Sequence, residues 1–153
     1  MSAVVAVLYA RADSIYKRLD GCDVWDAERD ARRWPGGAPV VAHPPCRAWG
    51  RLRHLAKPRP DEKELALHAV AAVREHGGVL EHPAGSSLWA AAGLPKPGDG
   101  LDAWGGWTLA APQLWWGHRA EKWTWFYVVG ADLRQLPQIP FSMARPSRYV
   151  AAK

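Results

Sequence analysis

The sequence predicts an α/β fold: a three-layer, Rossmann-like domain with a mostly parallel sheet and a C-terminal antiparallel hairpin. Three observations carry this. Short apolar runs rich in Val and Ala recur at residues 3–9, 40–42 and 78–80, each ending in a polar or proline-rich cluster, as buried parallel strands do. An amphipathic segment, residues 61–76, joins the second run to the third. Strand–helix–strand is a βαβ unit, so those two strands should be parallel. Finally, two aromatic runs, residues 113–118 and 123–129, flank a short link, the spacing of a hairpin.

Composition is consistent with one domain over residues 1–153. The chain has 153 residues, 48% of them hydrophobic, enough for a sizeable core. A formal charge of +5 points to an anionic partner. Ten tryptophans exceed what packing requires; each offers a flat face and one donor, which suits base stacking, with core packing as the competing account. Two cysteines, Cys22 and Cys46, make no disulfide framework. No leader precedes the first strand and no apolar run reaches transmembrane length, so a cytoplasmic protein is expected. Its expected partner is a nucleic acid or a nucleotide, with a second copy of the chain as another candidate and no membrane.

Residues 3–9 read as a central strand. Beyond it, Ser14 caps a short helix through Leu19, which Gly21 ends. Residues 22–26 read as a short second strand. A charged turn follows and closes at Trp34-Pro35-Gly36-Gly37. Arg11, Ser14 and Lys17 could meet a phosphate, and Asp23 or Asp26 could accept ribose hydroxyls. Arg11, Asp13, Ser14 and Asp26 are therefore the candidate cofactor residues, with capping and solvated charge as the plainer role of each.

The stretch from Val40 to Gly50 organises the chain. Its strand stops at His43-Pro44-Pro45-Cys46, because proline fixes φ and has no N–H. Cys46 thus sits on a stiff loop at a strand's carboxyl end, where open α/β sheets build their sites. Five basic residues follow, Arg47, Arg51, Arg53, Lys57 and Arg59, beside Trp49 and His54. They could track phosphates or simply be solvated.

Helix 61–76 carries a capping box, Asp61 with Glu64, and an apolar stripe of Leu65, Ala69, Ala72 and Val73, widened by Leu67 and Val70. Gly77-Gly78 stops it. The next strand ends in Glu81-His82-Pro83, repeating the earlier design, so both loops should emerge on one sheet edge. A short helix, residues 86–92, is capped by Ser86 or Ser87. Residues 93–106 are a turn-rich loop, and the tail from Leu136 is an irregular strap.

Cys46 beside His43 allows several chemistries. His43, Cys46, His82 and His118 could ligate a metal, although the spacing is no usual zinc pattern. Cys46 could be a hydrolase nucleophile activated by His43 or His82. It could also be an inert thiol. Around it, His43, Pro45, Arg47, Trp49, Arg51, His82, Arg119, Lys122 and Thr124 are the candidate substrate-binding residues.

Pro44-Pro45-Cys46 after one buried strand and Glu81-His82-Pro83 after the next together resemble the cytosine-C5 DNA methyltransferases, whose catalytic motif is Pro-Cys and whose next motif is Glu-Asn. The resemblance implies that Cys46 attacks C6 of a flipped cytosine while Glu81 holds the ring at N3 and the exocyclic amine. His82 stands where that family has Asn. Gln113, Arg119 and Lys122-Trp123-Thr124 resemble the family's later strand motif. The whole chain is also similar to short phage and prophage proteins with the same His-Pro-Pro-Cys and Glu-His-Pro signatures.

The family binds S-adenosylmethionine on a glycine-rich loop after its first strand. Here residues 9–16 hold no glycine, the stretch to the Cys is compressed, and a target-recognition domain is missing. The resemblance therefore implies a nucleic-acid or nucleotide base-modifying enzyme that keeps the fold and base pocket but has lost or changed the methyl donor. The alternative is a non-catalytic nucleotide- or DNA-binding module, such as a phage decoy or sponge; a metal-dependent hydrolase trails.

Overall fold

The computed structural model describes residues 4–116, 122–137 and 143. Six strands form one mixed sheet in the order β2-β1-β3-β4-β6-β5. They are β1 Val5–Leu8, β2 Cys22–Trp25, β3 Val40–Ala42, β4 Gly78–Pro83, β5 Trp107–Pro112 and β6 Trp123–Val129. The first four in the order run parallel, while β6 is antiparallel to both β4 and β5. β1 and β3 connect outward in opposite directions, so the strand order reverses between them.

Side-chain alternation divides the sheet. Ala6, Leu8, Val40, Ala42, Leu80, Tyr127 and Val129 face one side and are buried in one cluster. On that side lie helix α1, Glu62–His76, and the short helix α2, Leu88–Ala92. α1 contributes Ala66, Ala69, Val70 and Val73, and α2 contributes Leu88 and Trp89. The other face carries Val7, Val41, Val79, Glu81, Thr124 and Phe126. That face meets the 3₁₀ turn Ile15–Arg18 through Tyr16 and the turn Gln113–Trp116 through Gln113.

The α/β class is as expected, but the described residues form two main layers rather than three. The reason is local. Residues 9–21 and 26–39, which link β1 to β2 and β2 to β3, spend their length on turns at Ser14, Gly21, Asp30 and Trp34-Pro35-Gly36. Only 3₁₀ turns fit, Ile15–Arg18 and Ala31–Arg33. The βαβ unit is present: Val40 to Ala42 pair in parallel with Gly78 to Leu80. Gly78 makes that pairing possible, since a Cβ there would stand 1.9 Å from the Val40 carbonyl oxygen.

Several local expectations change. The hairpin's first strand is Trp107–Pro112, whereas Gln113–Trp116 is a 3₁₀ turn and residues 117–118 lie outside the described residues. Residues 107–112 offer neither a β-branched run nor a clean alternation, which hid them. The capping box on α1 does not form. Asp61 is the N-cap without a capping bond, its carboxylate being drawn instead to Arg32 and Arg59. Val70 is buried as expected, but Leu67 is 40% exposed. Ser87 precedes α2 yet gives its hydroxyl to the Trp49 carbonyl at 2.9 Å. Most of the tail beyond Pro137 lies outside the described residues. No helix among the described residues is long and apolar enough to cross a membrane.

Candidate active site

The register of β3 on β4 builds the site. Ala42 pairs with Leu80, so the next residues, His43 and Glu81, leave the strands side by side on one face. His43 donates from Nδ1 to Glu81 Oε2 at 3.4 Å. A carboxylate only accepts, so this tautomer leaves Nε2 as acceptor, and the Tyr16 hydroxyl meets it at 3.2 Å. On the far side, Glu81 pairs across the ladder with Phe126, which puts Thr124 two residues along on the same face. The Thr124 hydroxyl donates to Glu81 Oε1 at 3.1 Å. The Gln113 amide donates to Thr124 Oγ1 at 3.0 Å and to Glu81 Oε1 at 3.4 Å.

Glu81 is thus a mostly buried carboxylate ringed by donors. Burial pushes its pKa up, but the His43 bond and charge, the Lys122 ammonium and the Thr124 bond together bring it below the ordinary carboxylate value. It is ionised at neutral pH. Tyr16 shifts upward, through burial first and then the nearby Cys22 and Glu81, so it remains a phenol.

His82 points to the opposite face and is 1% exposed. Its Nε2 meets the Pro44 carbonyl at 3.2 Å and its Nδ1 meets Ser86 Oγ at 2.8 Å. A carbonyl only accepts, so Nε2 carries the proton and Nδ1 accepts from Ser86. Ser86 in turn accepts from the Leu88 N–H at 3.2 Å. Burial lowers the pKa of His82, which keeps the ring neutral. Both ring nitrogens of His82 are therefore committed to the fold. It ties the loop after β4 to the Pro44-Pro45 turn that carries Cys46.

Cys46 heads a tight turn whose carbonyl accepts from the Trp49 and Gly50 N–H groups, each at 2.9 Å. The thiol is half-buried and unpaired. Neither His43 nor His82 bonds to it. Among the described residues no group of three or more His, Cys, Asp or Glu gathers as metal ligands, and His118 lies outside them.

The other sequence candidates separate cleanly. Lys122 and Thr124 join the Glu81 cluster, while Arg119 lies outside the described residues. Trp49 is 6% exposed and belongs to the core, its indole N–H buried without a partner and Lys63 lying over its ring. Arg47 is bound bidentately to the buried carboxylate of Glu62, which also draws Arg59 to 3.5 Å. These two arginines hold the basic loop onto α1 and are not free for phosphates. Arg51 instead lies against Gly85, beside the Glu81 loop, and neither Arg51 nor Lys57 forms an ion pair among the described residues. If this loop meets nucleic acid, Arg51→Gln with Lys57→Gln should lower the log–log salt slope by about 1 to 2, whereas Arg47→Gln should lower stability and leave the slope alone. Binding of a fluorescent oligonucleotide across a salt series measures this.

The proposed cofactor residues mostly serve the fold. Arg11 pairs with Asp13 in solvent, and Ser14 caps Tyr16. Lys17 pairs with Asp26 at 2.7 Å, holding that carboxyl below its ordinary range. Asp26 alone of the four lines a cleft, which also meets Tyr9, Asp30, Arg32, Pro45 and Arg59. The cleft opens at the carboxyl ends of β1 and β3, where the strand order reverses and open α/β sheets bind ligands. Its volume is about 170 Å³.

Tyr9, which the sequence had marked only as a strand end, shapes that cleft. It adopts φ +63°, a left-handed conformation usually left to glycine. Its hydroxyl bonds His68 Nδ1 at 2.7 Å and its ring meets His68 edge-on, which holds the strained backbone. A pocket for a drug-sized ligand spans roughly 300–1,000 Å³, and this cleft is smaller. Calorimetry with S-adenosylmethionine should show no low-micromolar binding; tight binding would mean that Tyr9 swings aside.

Tyr16 is the other residue that sequence reasoning left out of the site, and Gln113 was reached only through the resemblance to the family's later strand motif. Tyr16 has no local signal, because only the crossover from β1 to β2 carries it over the sheet. Gln113 follows Pro112, which pairs with Trp123, and this register sets it beside Thr124. Compared with known protein families, curated proteins and solved structures, the chain matches none.

Proposed function

We propose that the chain binds a nucleobase, in a nucleic acid or a nucleotide, between Cys46 and Glu81, and modifies it in the manner of the cytosine-C5 DNA methyltransferases. The observation that carries the reading is the parallel pairing of β3 with β4. It sets an ionised, donor-ringed carboxylate and the Pro-Pro-Cys turn on one carboxyl-end rim, with buried His82 fixing the turn. Glu81 presents the acid–base group a pyrimidine ring nitrogen needs, and Cys46 supplies a thiol for addition at C6. The reversal of strand order between β1 and β3 supports a Rossmann-like ancestry. Two unpaired cysteines suit a reducing, cytoplasmic setting.

Two observations favour the second reading, a non-catalytic nucleotide- or DNA-binding module. Among the described residues no imidazole bonds the Cys46 thiol, and the cleft behind Tyr9 is small for a methyl donor. Co-purification followed by mass spectrometry decides between them. Retained nucleic acid with altered bases supports the enzyme, retained unaltered nucleotide supports the binder, and retention of neither removes both.

A further inference from the structure

We propose that His43, with Tyr16 behind it, is a positioning residue that passes protons between solvent and the carboxylate of Glu81; the inference rests on the reading of Glu81 as the base-holding group. The geometry is a continuous chain. Tyr16 O–H meets His43 Nε2 at 3.2 Å, and His43 Nδ1 meets Glu81 Oε2 at 3.4 Å. The Tyr16 and His43 rings lie 5.6 Å apart at 32°, so the phenol is packed against the imidazole as well as bonded to it. The His43 side chain is 34% exposed and that of Glu81 is 19% exposed, so the imidazole bridges water and the buried acid.

Glu81 needs such a route. Its Oε1 is committed to Thr124 and Gln113, and among the described residues only Oε2 faces a titratable donor. Among the described residues, the other charged or titratable groups around the pair are Lys122, which acts on Glu81 through its charge, Cys22 beside Tyr16, and His82 on the opposite face. None of these bonds Oε2. His82 is already committed to Pro44 and Ser86.

The step balances as follows. A solvent proton adds at His43 Nε2, and the Tyr16 hydroxyl turns from donor to acceptor of the new N–H. The Nδ1–H bond breaks as an Oε2–H bond forms. His43 is left neutral in its other tautomer, and Glu81 is a neutral acid. Its O–H then donates to a ring nitrogen of the bound base. One proton enters at Nε2 and one is delivered at Oε2. Tyr16 stays a phenol throughout, consistent with its upward shift.

The test is an NMR titration of the full chain, following the Glu81 carboxyl carbon and the His43 ring nitrogens. In the wild type the Glu81 signal should move in two steps, the second coinciding with titration of the His43 ring. His43→Asn keeps an amide donor toward Oε2 but cannot titrate, so only one step should remain. Tyr16→Phe should keep both steps and shift the one shared with the ring. The same single step in wild type and His43→Asn would overturn the relay, as would a Tyr16→Phe titration identical to wild type. Calorimetry with deoxycytidine monophosphate in two buffers of different ionisation heat adds a second readout. Proton uptake on binding should appear in wild type, and its rate, followed by stopped flow with a pH indicator, should fall by about tenfold or more in His43→Asn; an equal rate in both contradicts the relay. Should the coupled titration appear while neither this nucleotide nor a cytosine oligonucleotide binds, the base-pocket reading fails and the relay stands.

Discussion

Glu81→Gln is expected to weaken binding of a cytosine nucleotide or oligonucleotide by about tenfold or more, and Cys46→Ser to leave it within about twofold while abolishing any base modification. The asymmetry follows from what each side chain does. Glu81 is an ionised acceptor in a mostly buried setting, and hydrogen bonds to charged groups are worth about 1.5–3 kcal/mol. An amide in its place would turn a donor toward Thr124, Gln113 or His43, all of which now donate to it. Cys46 makes no side-chain hydrogen bond among the described residues, so serine removes the nucleophile and disturbs little else. Thermal melts of both variants would show whether folding is retained, and quantitative binding with mass spectrometry of the recovered bases reads the two effects. Unchanged binding by Glu81→Gln would detach the carboxylate from the ligand.

His82→Ala is expected to cost about 2–4 kcal/mol of stability and to loosen the Pro44-Pro45-Cys46 turn. The imidazole is fully buried among core residues, so its loss leaves a cavity, and the Pro44 carbonyl and Ser86 hydroxyl lose their partner. His82 also sets a pH dependence whose sign is fixed. Burial depresses its folded-state pKa, so at low pH the unfolded chain binds the proton and the folded chain resists it. Its contribution is fully present above the unfolded value near 6.5 and is lost as pH falls. His68, depressed by burial and then by Arg32, acts in the same direction. The melting temperature should therefore decline from pH 7 toward pH 5, before the carboxylates begin to protonate. The decline should be shallower in His82→Ala, measured by circular dichroism in matched buffers.

Much of this arrangement is legible in the sequence. Residues 40–42, 62–76 and 78–83 announce themselves by apolar runs, helical periodicity and terminal glycines, and their order dictates parallel pairing. That pairing alone brings His43 to Glu81. Other roles depend on which face a side chain takes. His82 and Glu81 are neighbours in sequence, yet strand alternation sends one to the helix-covered face and the other to the site. Arg47 reads as a phosphate contact until α1 places Glu62 under it. Tyr9 reads as a strand end, and its left-handed backbone is visible only once His68 on α1 holds it. β5 escaped notice because residues 107–112 offer neither a branched run nor a clean alternation.

The most direct measurement of the central claim is covalent capture by an oligonucleotide carrying 2-pyrimidinone, whose C6 is electrophilic enough to hold a thiol adduct without any transfer to C5. The thiolate is the attacking species, so the reaction also reports whether Cys46 is activated in the presence of a bound base. The predicted result is a mass shift on denaturation that maps to Cys46 and not to Cys22. It should disappear in Cys46→Ser and fall by about tenfold or more in Glu81→Gln. The contradictory result is an oligonucleotide that binds but forms no adduct, or one that labels both cysteines alike and does so equally in Glu81→Gln.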